Sequence, residues 1–404
     1  MDKKPERLVP EVRFKGFTDD WEQHKLRKVA CINPKTNIPD NFKYVDLESV
    51  VGTSLIKAKL TTKQLAPSRA QRVAKKGDIF YQTVRPYQKN NFLFDINNYD
   101  FQYVFSTGYA QLRSEINNYF LFSYLQRQRF VNLILRRSTG TSYPAISSKD
   151  LSEIKIIFPR NSKEQENIGK IINLIDALIT LQQRKLEQLK QLKKALLQQL
   201  FVGKNNKQPN LRFKNFDGEW EQCMLKEIKD VRDGTHNSPK YQKEGYPLVT
   251  SKNLITNGID LSNVSFISKY DYQEINKRSK VETGDILFGM IGTIGNPVMV
   301  KKGGFAIKNV ALIKNGGEVS NGFLLHLLKS AIFSQYIKKE NAGGTQKFLG
   351  LSVIRGFKFK VPDKVEQGNI ASIFDTLNRF ITLQKNNLTQ LTTLKKYLLQ
   401  NLFI

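Results

Sequence analysis

Residues 175–201 read IDALITLQQRKLEQLKQLKKALLQQLF, and 202 positions later residues 377–403 read LNRFITLQKNNLTQLTTLKKYLLQNLF. Whatever this chain folds into must use one long amphipathic helix twice. The repetition extends beyond the helix. EVRFKGFTDDWEQHKL at 11–26 returns as NLRFKNFDGEWEQCML at 210–225, mapping Phe14, Phe17, Trp21 and Leu26 onto Phe213, Phe216, Trp220 and Leu225. GDIF at 77–80 returns as GDIL at 284–287. Each half then carries an apolar, aromatic-rich helical stretch, 117–137 and 319–340. A Gly/Thr loop follows each, RSTGTSYP at 137–144 and NAGGTQKF at 341–348. A short β-type run ending in proline, IKIIFP or FKFKVP, leads into the long helix. A period of about 200 residues is far too long for a solenoid. The order is module, helix, module, helix, a tandem duplication of a whole domain with its spacer.

The halves are unequally alike. Roughly half the residues across 164–202 and 366–404 are identical, whereas 30–76 and 229–283 share almost nothing that aligns. Constant helices with divergent inserts suggest a fixed frame presenting two different readers.

The helices have heptad character. With Ile168 at d, the d positions are Ile168, Ile175, Gln182, Leu189 and Leu196, and the a positions are Ile172, Ile179, Leu186, Lys193 and Leu200. The second copy places Ile370, Leu377, Gln384, Leu391 and Leu398 at d, and Phe374, Ile381, Leu388, Lys395 and Leu402 at a. Both copies put a glutamine at the same d and a lysine at the same a; polar residues in a seam fix register at some cost in stability. Two such helices in one chain can pair with each other, antiparallel if the halves are related by a pseudo-two-fold. At 1.5 Å per residue, ~37 residues span about 55 Å, of the order of one or more DNA turns of ~34–36 Å. The bland reading, a stabilising amphipathic hairpin, holds as far as it goes; the further expectation is that the hairpin sets a distance.

The modules read as mixed α/β. Strands are expected at 43–51, 78–85, 91–95 and 101–112 in the first, and at 246–250, 285–300 and 305–314 in the second, punctuated by Gly/Asn/Pro clusters such as IGTIGNP and KKGGF. The expected fold class is α+β: two mixed α/β domains separated by two long helices that pair as an antiparallel coiled coil. The expected boundaries are a first domain at 1–160, a spacer helix at 161–203, a second domain at 204–362 and a second spacer helix at 363–404.

Sixty-four Lys+Arg against 36 Asp+Glu give a net charge of +28. That calls for a polyanionic partner, nucleic acid first. The excess is shared: residues 1–202 carry 34 basic and 19 acidic residues, and 203–404 carry 30 and 17. A basic tail would be lopsided; an even split suggests that both modules touch the polyanion. No apolar run approaches the ~18–20 residues of a membrane span, and MDKKPERLVPEVRF lacks the apolar core of a secretory signal. Cys31 and Cys223 sit at non-equivalent positions and in no CxxC, as expected of a reduced, cytoplasmic chain without disulfides or a zinc site.

Enzyme chemistry is hard to place. There is no GxxxxGK[ST] loop for nucleotide phosphates and no Asn/Asp-Pro-Pro-aromatic motif of an amino-methyltransferase. His24, His236 and His326 are scattered and not at metal spacing. A nuclease-like set can be forced from Asp217, Glu227 and Lys229, but the first copy has Lys28 and Ala30 where Glu227 and Lys229 stand. A solvated charge run accounts for it better. No catalytic residue and no metal ligand are assigned.

Side chains suited to DNA are concentrated in loops. TVRPYQKNN at 83–91 offers Arg85, Gln88, Lys89 and Asn90 for base edges or phosphates, and Tyr87 to stack or wedge. DGTHNSPKYQKEGYPLVTSKN at 233–253 offers Thr235, His236, Asn237, Lys240, Ser251, Lys252 and Asn253. The Gly/Thr loops add Thr139, Thr141, Ser142 and Tyr143, and Thr345, Gln346 and Lys347. Ordinary turns would use the same residues; their setting in basic modules favours DNA.

Two divergent modules, each with RFxxFxxxWEQ, a GDI strand and an EQxxI…ITLQ…LKKxLLQxLF helix, resemble the specificity subunit of a type I restriction–modification system, over nearly the whole chain. VRPYQKNN and DGTHNSPKY…PLVTSKN resemble that family's target-recognition segments. The resemblance implies that each module reads one half of a split, asymmetric site on double-stranded DNA. The helices then act as spacer and ruler. Two modification subunits dock on the helical frame and use S-adenosylmethionine for adenine-N6 methylation. Restriction subunits add ATP- and Mg-dependent translocation and cleavage. This chain itself would bind no cofactor and carry no catalytic residue. The alternative of another class is a basic RNA-binding or ribonucleoprotein scaffold; no RNP1 signature is present, and NAGGTQ and STGT do not supply a GXXG clamp in both halves.

Overall fold

The computed structural model describes residues 8–203, 206–256, 258–340 and 348–404. The chain divides into two compact units, one of residues 1–184 with 386–404 and one of residues 185–385. Each unit holds one module and a share of both long helices, which run Ser162–Gln199 and Lys364–Asn401.

In the first unit, one sheet has the order Ala30–Ile32, Tyr109–Ser114, Ile79–Gln82, Phe92–Leu93, antiparallel throughout. A second has the order Lys59–Thr62, Asn41–Val45, Tyr103–Ser106, Ala70–Val73, with a parallel central pair. The second unit repeats this plan. Val231–Asp233, Val310–Ile313, Ile286–Gly289 and Gly295–Met299 form an antiparallel sheet in the matching order. In its other sheet Tyr246–Thr250 again runs parallel to the strand before the crossover, Ala306–Lys308. The stretches 30–76 and 229–283, unalignable as sequence, therefore share a parallel pair flanked on one side by an antiparallel strand, beyond which the second unit adds Tyr241–Gln242. They differ beside the crossover strand, where the first unit places the strand Ala70–Val73. The second unit has the helix Lys269–Ser279, whose Tyr272 and Ile275 pack with Leu248, Ile267 and Ala306.

Several expected elements divide. The run 43–51 is a strand at Asn41–Val45 and a short one at Val50–Val51. The runs 101–112 and 305–314 each supply one strand to each sheet, broken at Thr107–Gly108 and at Asn309, which has φ +56°. The run 285–300 breaks at a loop around 290–294, and 78–85 stops at Gln82. Only the break at 290–294, MIGTI, is apolar; the others fall at polar residues or glycine, DLES at 46–49, Thr107–Gly108 and Asn309. The stretches 117–137 and 319–340 are each two helices, parted at the extended Arg127 and at Ser330. The helix Lys269–Ser279 is too polar to show an apolar period.

The repeated motifs form a clamp between module and long helix. Arg13 makes a bidentate pair with Glu164, and Arg212 with Glu366. Trp21 Nε1 donates to Glu164 at 3.3 Å. Gln165 accepts from the Asn117 N–H and donates to the Pro159 carbonyl; Gln367 repeats this with Ser320 and Pro362. The GDI aspartates are equally structural. Asp78 accepts from Lys75 N–H and pairs with Arg113, and Asp285 accepts from Glu282 N–H and pairs with Lys314.

The long helices pack antiparallel within each unit. In the first, Ile168 and Ile172 share a core with Leu402 and Phe403, and Lys395 pairs with Asp176 at 2.5 Å. In the second, Leu196, Leu200 and Phe201 share a core with Ile370, Phe374 and Leu377, and Lys193 donates to Asn378 at 2.6 Å. The two polar contacts occupy equivalent repeat positions. The a and d residues set out above are all buried or half-buried. Burying Phe403 against Phe120 and Tyr124, or Phe201 against Phe323 and Phe374, makes each an anchor whose truncation to alanine costs about 3–5 kcal/mol.

Candidate nucleic-acid interface

In the first unit the strand Ile79–Gln82 delivers the chain into 83–91, and the Gly/Thr loop comes back to meet it. Val84 bridges Ala145, Ile146 N–H donates to the Thr83 carbonyl at 3.0 Å, and Arg85 N–H donates to Pro144 at 2.8 Å. Arg85 takes a left-handed conformation, φ +55°, ahead of a tight turn at Pro86–Gln88. That turn carries the guanidinium over the Tyr143 ring, 4.3 Å from its centroid. Thr139, Thr141, Ser142, Tyr143, Tyr87 and Gln88 are exposed around it. Other members of 83–91 are partly engaged. Asn90 Oδ1 accepts from Gly52 N–H at 2.9 Å, and Gln88 Oε1 accepts from Gln82 at 3.0 Å. Lys89 is half-buried beside Lys395; desolvation first and that like charge second lower its pKa.

In the second unit His236 is held from both sides. Nε2 lies 2.8 Å from Asp233 Oδ2, and Nδ1 lies 2.9 Å from Asn309 Oδ1. Arg278 closes on the other Asp233 oxygen. Gly234 permits this loop to lie on the neighbouring strand, since a Cβ there would stand 2.2 Å from the Ile307 carbonyl. His236, Asn237, Lys240 and Lys252 are exposed and Thr235 half-exposed. Ser251 and Asn253 are corrected: both are buried, and their side chains are spent on the chain itself. Ser251 Oγ donates to the Asn309 carbonyl, and Asn253 caps Thr250 and bonds Asp260 and Asn263. Thr345, Gln346 and Lys347 lie outside the described residues.

One segment escapes a reading by composition. Ile291 bridges Phe348, and Leu349 N–H donates to Met290, just as 83–84 pair with 145–146. Residues 290–296 thus stand where 83–89 stand in the first unit. Gly292, φ +77°, takes the place of the left-handed Arg85, with Thr293 and Asn296 exposed beside it. Aligning GDIFYQTVR with GDILFGMIG is the signal that reveals it.

The acid–base set offered as a nuclease alternative has other duties. Glu227 accepts from Met224 N–H to cap a helical turn. Lys229 is buried, donates to the Gly316 carbonyl at 2.5 Å, and is lowered to about 8 by desolvation.

The sequence profile of the type I restriction modification DNA specificity domain matches residues 18–191 and again 217–393. The MjaVIII specificity subunit of a type I restriction enzyme from Methanocaldococcus jannaschii is 24% identical over 279 residues, 64% of this chain and 64% of that protein. The HindI specificity subunit from Haemophilus influenzae is 26% identical over 192 residues, 45% of this chain and 41% of that one. The matched stretches thus span less than two thirds of these relatives. Two solved chains share the fold. The type I restriction-modification S subunit from M. genitalium has a TM-score of 0.63 at 17% identity, covering 98% of this chain and 99% of its own. A chain from work on complex assembly and conformational transition of the type I R-M system has a TM-score of 0.54 at 20% identity, covering 95% and 97%. With its two modules matched in turn, the chain belongs to the type I restriction modification DNA specificity family.

Proposed function

We propose that this chain is the DNA-recognition subunit of a type I restriction–modification enzyme, each unit reading one half of a bipartite, asymmetric site on duplex DNA. The observation that carries this is a shared backbone with different side chains. In both units the segment after the GDI strand pairs with the segment after the Gly/Thr loop, yet Arg85 and Tyr143 stand on one frame and Gly292 on the other. A constant frame with unlike loops suits two different half-sites. Arg85, Thr235 and the exposed members of 83–91, 139–143, 235–240 and 290–296, with Lys252, are the proposed contacts. Their charge-bearing modules supply the phosphate attraction.

In this reading the long helices set the gap between half-sites and dock two modification subunits. Leu174, Leu178, Leu181 and Leu192 leave an apolar face exposed on the first helix, and Phe380, Leu383 and Leu394 do so on the second. Such faces are the material of helix-in-groove docking. S-adenosylmethionine belongs to those partners, ATP and Mg to restriction subunits, and the assembly to the cytoplasm. The chain supplies no chemistry of its own. The RNA-scaffold alternative has no observation in its favour. Binding to duplex DNA with and without the modification subunit, against single-stranded DNA and RNA of the same sequence, tests the reading; a preference for RNA or single strands contradicts it.

A further inference from the structure

The shared topology points to a reading surface in the first unit that composition does not disclose. The segment 33–38 leaves the strand of the first sheet that corresponds to the strand leading into 234–239, with His236, in the second, but two residues earlier in register. Ile32 pairs with Leu112 and Val231 with Ile313, the partners of Ile79 and Ile286; the first strand ends at Ile32, the second only at Asp233, opposite Ala311. In the first unit this segment and residues 63–72 enclose an open groove of about 800 Å³. Lys35, Lys63 and Arg72 line it, together with Thr36 and Gln71, and no carboxylate does.

Arg72 contrasts with three partly buried arginines of the frame, and with Arg127, which among the described residues has no carboxylate side chain either but donates to the Ile404 carbonyl and lies over the Tyr124 and Phe403 rings. Arg13, Arg113 and Arg212 each close on a buried carboxylate. Among the described residues Arg72 meets none, and its buried Nε has no acceptor. Desolvation alone lowers its pKa. A cation withdrawn from water without a counter-charge is costly, and an anionic ligand removes that cost. Two hydrogen-bonded links tie the walls of the groove to the elements that carry the interface described above. Asn33 Nδ2 donates to Ser148 Oγ at 2.8 Å, and Thr107 N–H donates to the Arg69 carbonyl next to the Gly108–Thr83 bond.

We infer that the groove between 33–38 and 63–72 receives the phosphodiester backbone of duplex DNA beside the first half-site, through Lys35, Lys63 and Arg72. This rests on the proposed function, and the test separates the two. The full chain, assembled with its modification subunit, is titrated with a labelled duplex carrying its methylated site and with an unrelated duplex, across a salt series. Lys35→Ala/Lys63→Ala alters two exposed side chains and leaves the fold intact. It should weaken both duplexes by the same factor and make the slope of log affinity against log salt less steep by about 1.8, or 0.9 per lost phosphate contact. Arg72→Gln, checked for an unchanged thermal transition, should remove about 0.9 more. Unchanged affinity and slope in the double-lysine variant overturn the groove alone. Weakening confined to the cognate duplex at an unchanged slope also overturns it, since that marks base contacts. A parent complex that ignores duplex DNA overturns the underlying reading as well.

Discussion

Arg13 holds Glu164 through two hydrogen bonds, Nε to Oε1 at 2.7 Å and Nη2 to Oε2 at 2.9 Å, joining the segment before the first module to the start of the long helix. The bond to Glu164 raises the Arg13 pKa above its ordinary value. Glu164 is buried, so removing its partner leaves a charge without compensation. Arg13→Ala should cost about 3–5 kcal/mol, and Arg212→Ala the same through Glu366. Urea unfolding of each variant checks this; losses below about 1 kcal/mol would reduce the clamp to a surface pair.

His326 is fully buried, stacked 4.5 Å from Phe374, and among the described residues finds no hydrogen-bond partner for either ring nitrogen. Burial first, then Lys329 and Lys193, lower it from 6.5 to about 3; the Asp375 carboxylate stands 3.7 Å away. The unfolded chain therefore takes up this proton first as pH falls. The stability due to the neutral ring is complete above pH 6.5 and declines below it, by about 2 kcal/mol at pH 5. His326→Phe should flatten that acid limb, read as the difference in unfolding free energy between pH 7.5 and 5. A limb of unchanged steepness would assign it to other groups.

The frame was legible in the sequence where function demands sameness. The seam from Ile168 to Leu200 follows heptad arithmetic, and the Arg/Trp/Glu/Gln set recurs because two modules need one clamp. The readers were less legible for physical reasons. Ser251 and Asn253 are polar residues of the kind that bond DNA, yet both are buried and bonded to their own backbone. Composition cannot tell a donor facing solvent from one satisfied inside. Gly292 and Asn33 escape composition for the opposite reason: what matters there is a place beside a sheet, which for Gly292 shows only when the GDI repeat is carried past its motif and for Asn33 only in the strand pairing.

Arg85 and Tyr143 come from segments nearly 60 residues apart and meet at 4.3 Å. Arg85→Ala should weaken cognate DNA by about 1–3 kcal/mol if it contacts a guanine bidentately. Tyr143→Ala should act partly through Arg85, so the double variant should fall short of the sum of the two singles. Binding isotherms for the four proteins decide; full additivity would make the stacking incidental.

A truncated chain of residues 1–203 loses 386–404, and with it Leu402 and Phe403, which cover Ile168 and Ile172. A second copy can supply Leu200 and Phe201, which hold the same repeat positions. The fragment should therefore dimerise and, with the modification subunit, write a palindrome of the first half-site. Sedimentation and methylation mapping test this; a monomer, or an asymmetric site, would contradict it.

On the proposed function, two readers on one frame leave a direct signature in the DNA that the modification subunits methylate. Long-read methylation sequencing should be run on genomic DNA modified by complexes holding the parent chain, Arg85→Ala, or His236→Ala. The parent should write one motif of two specified parts separated by a gap of fixed length, with half-site centres about one turn, ~10 bp, apart. Arg85→Ala should relax bases in one part only, His236→Ala in the other only, with the gap unchanged in both. A single contiguous motif, or either substitution relaxing both parts together, would contradict the account.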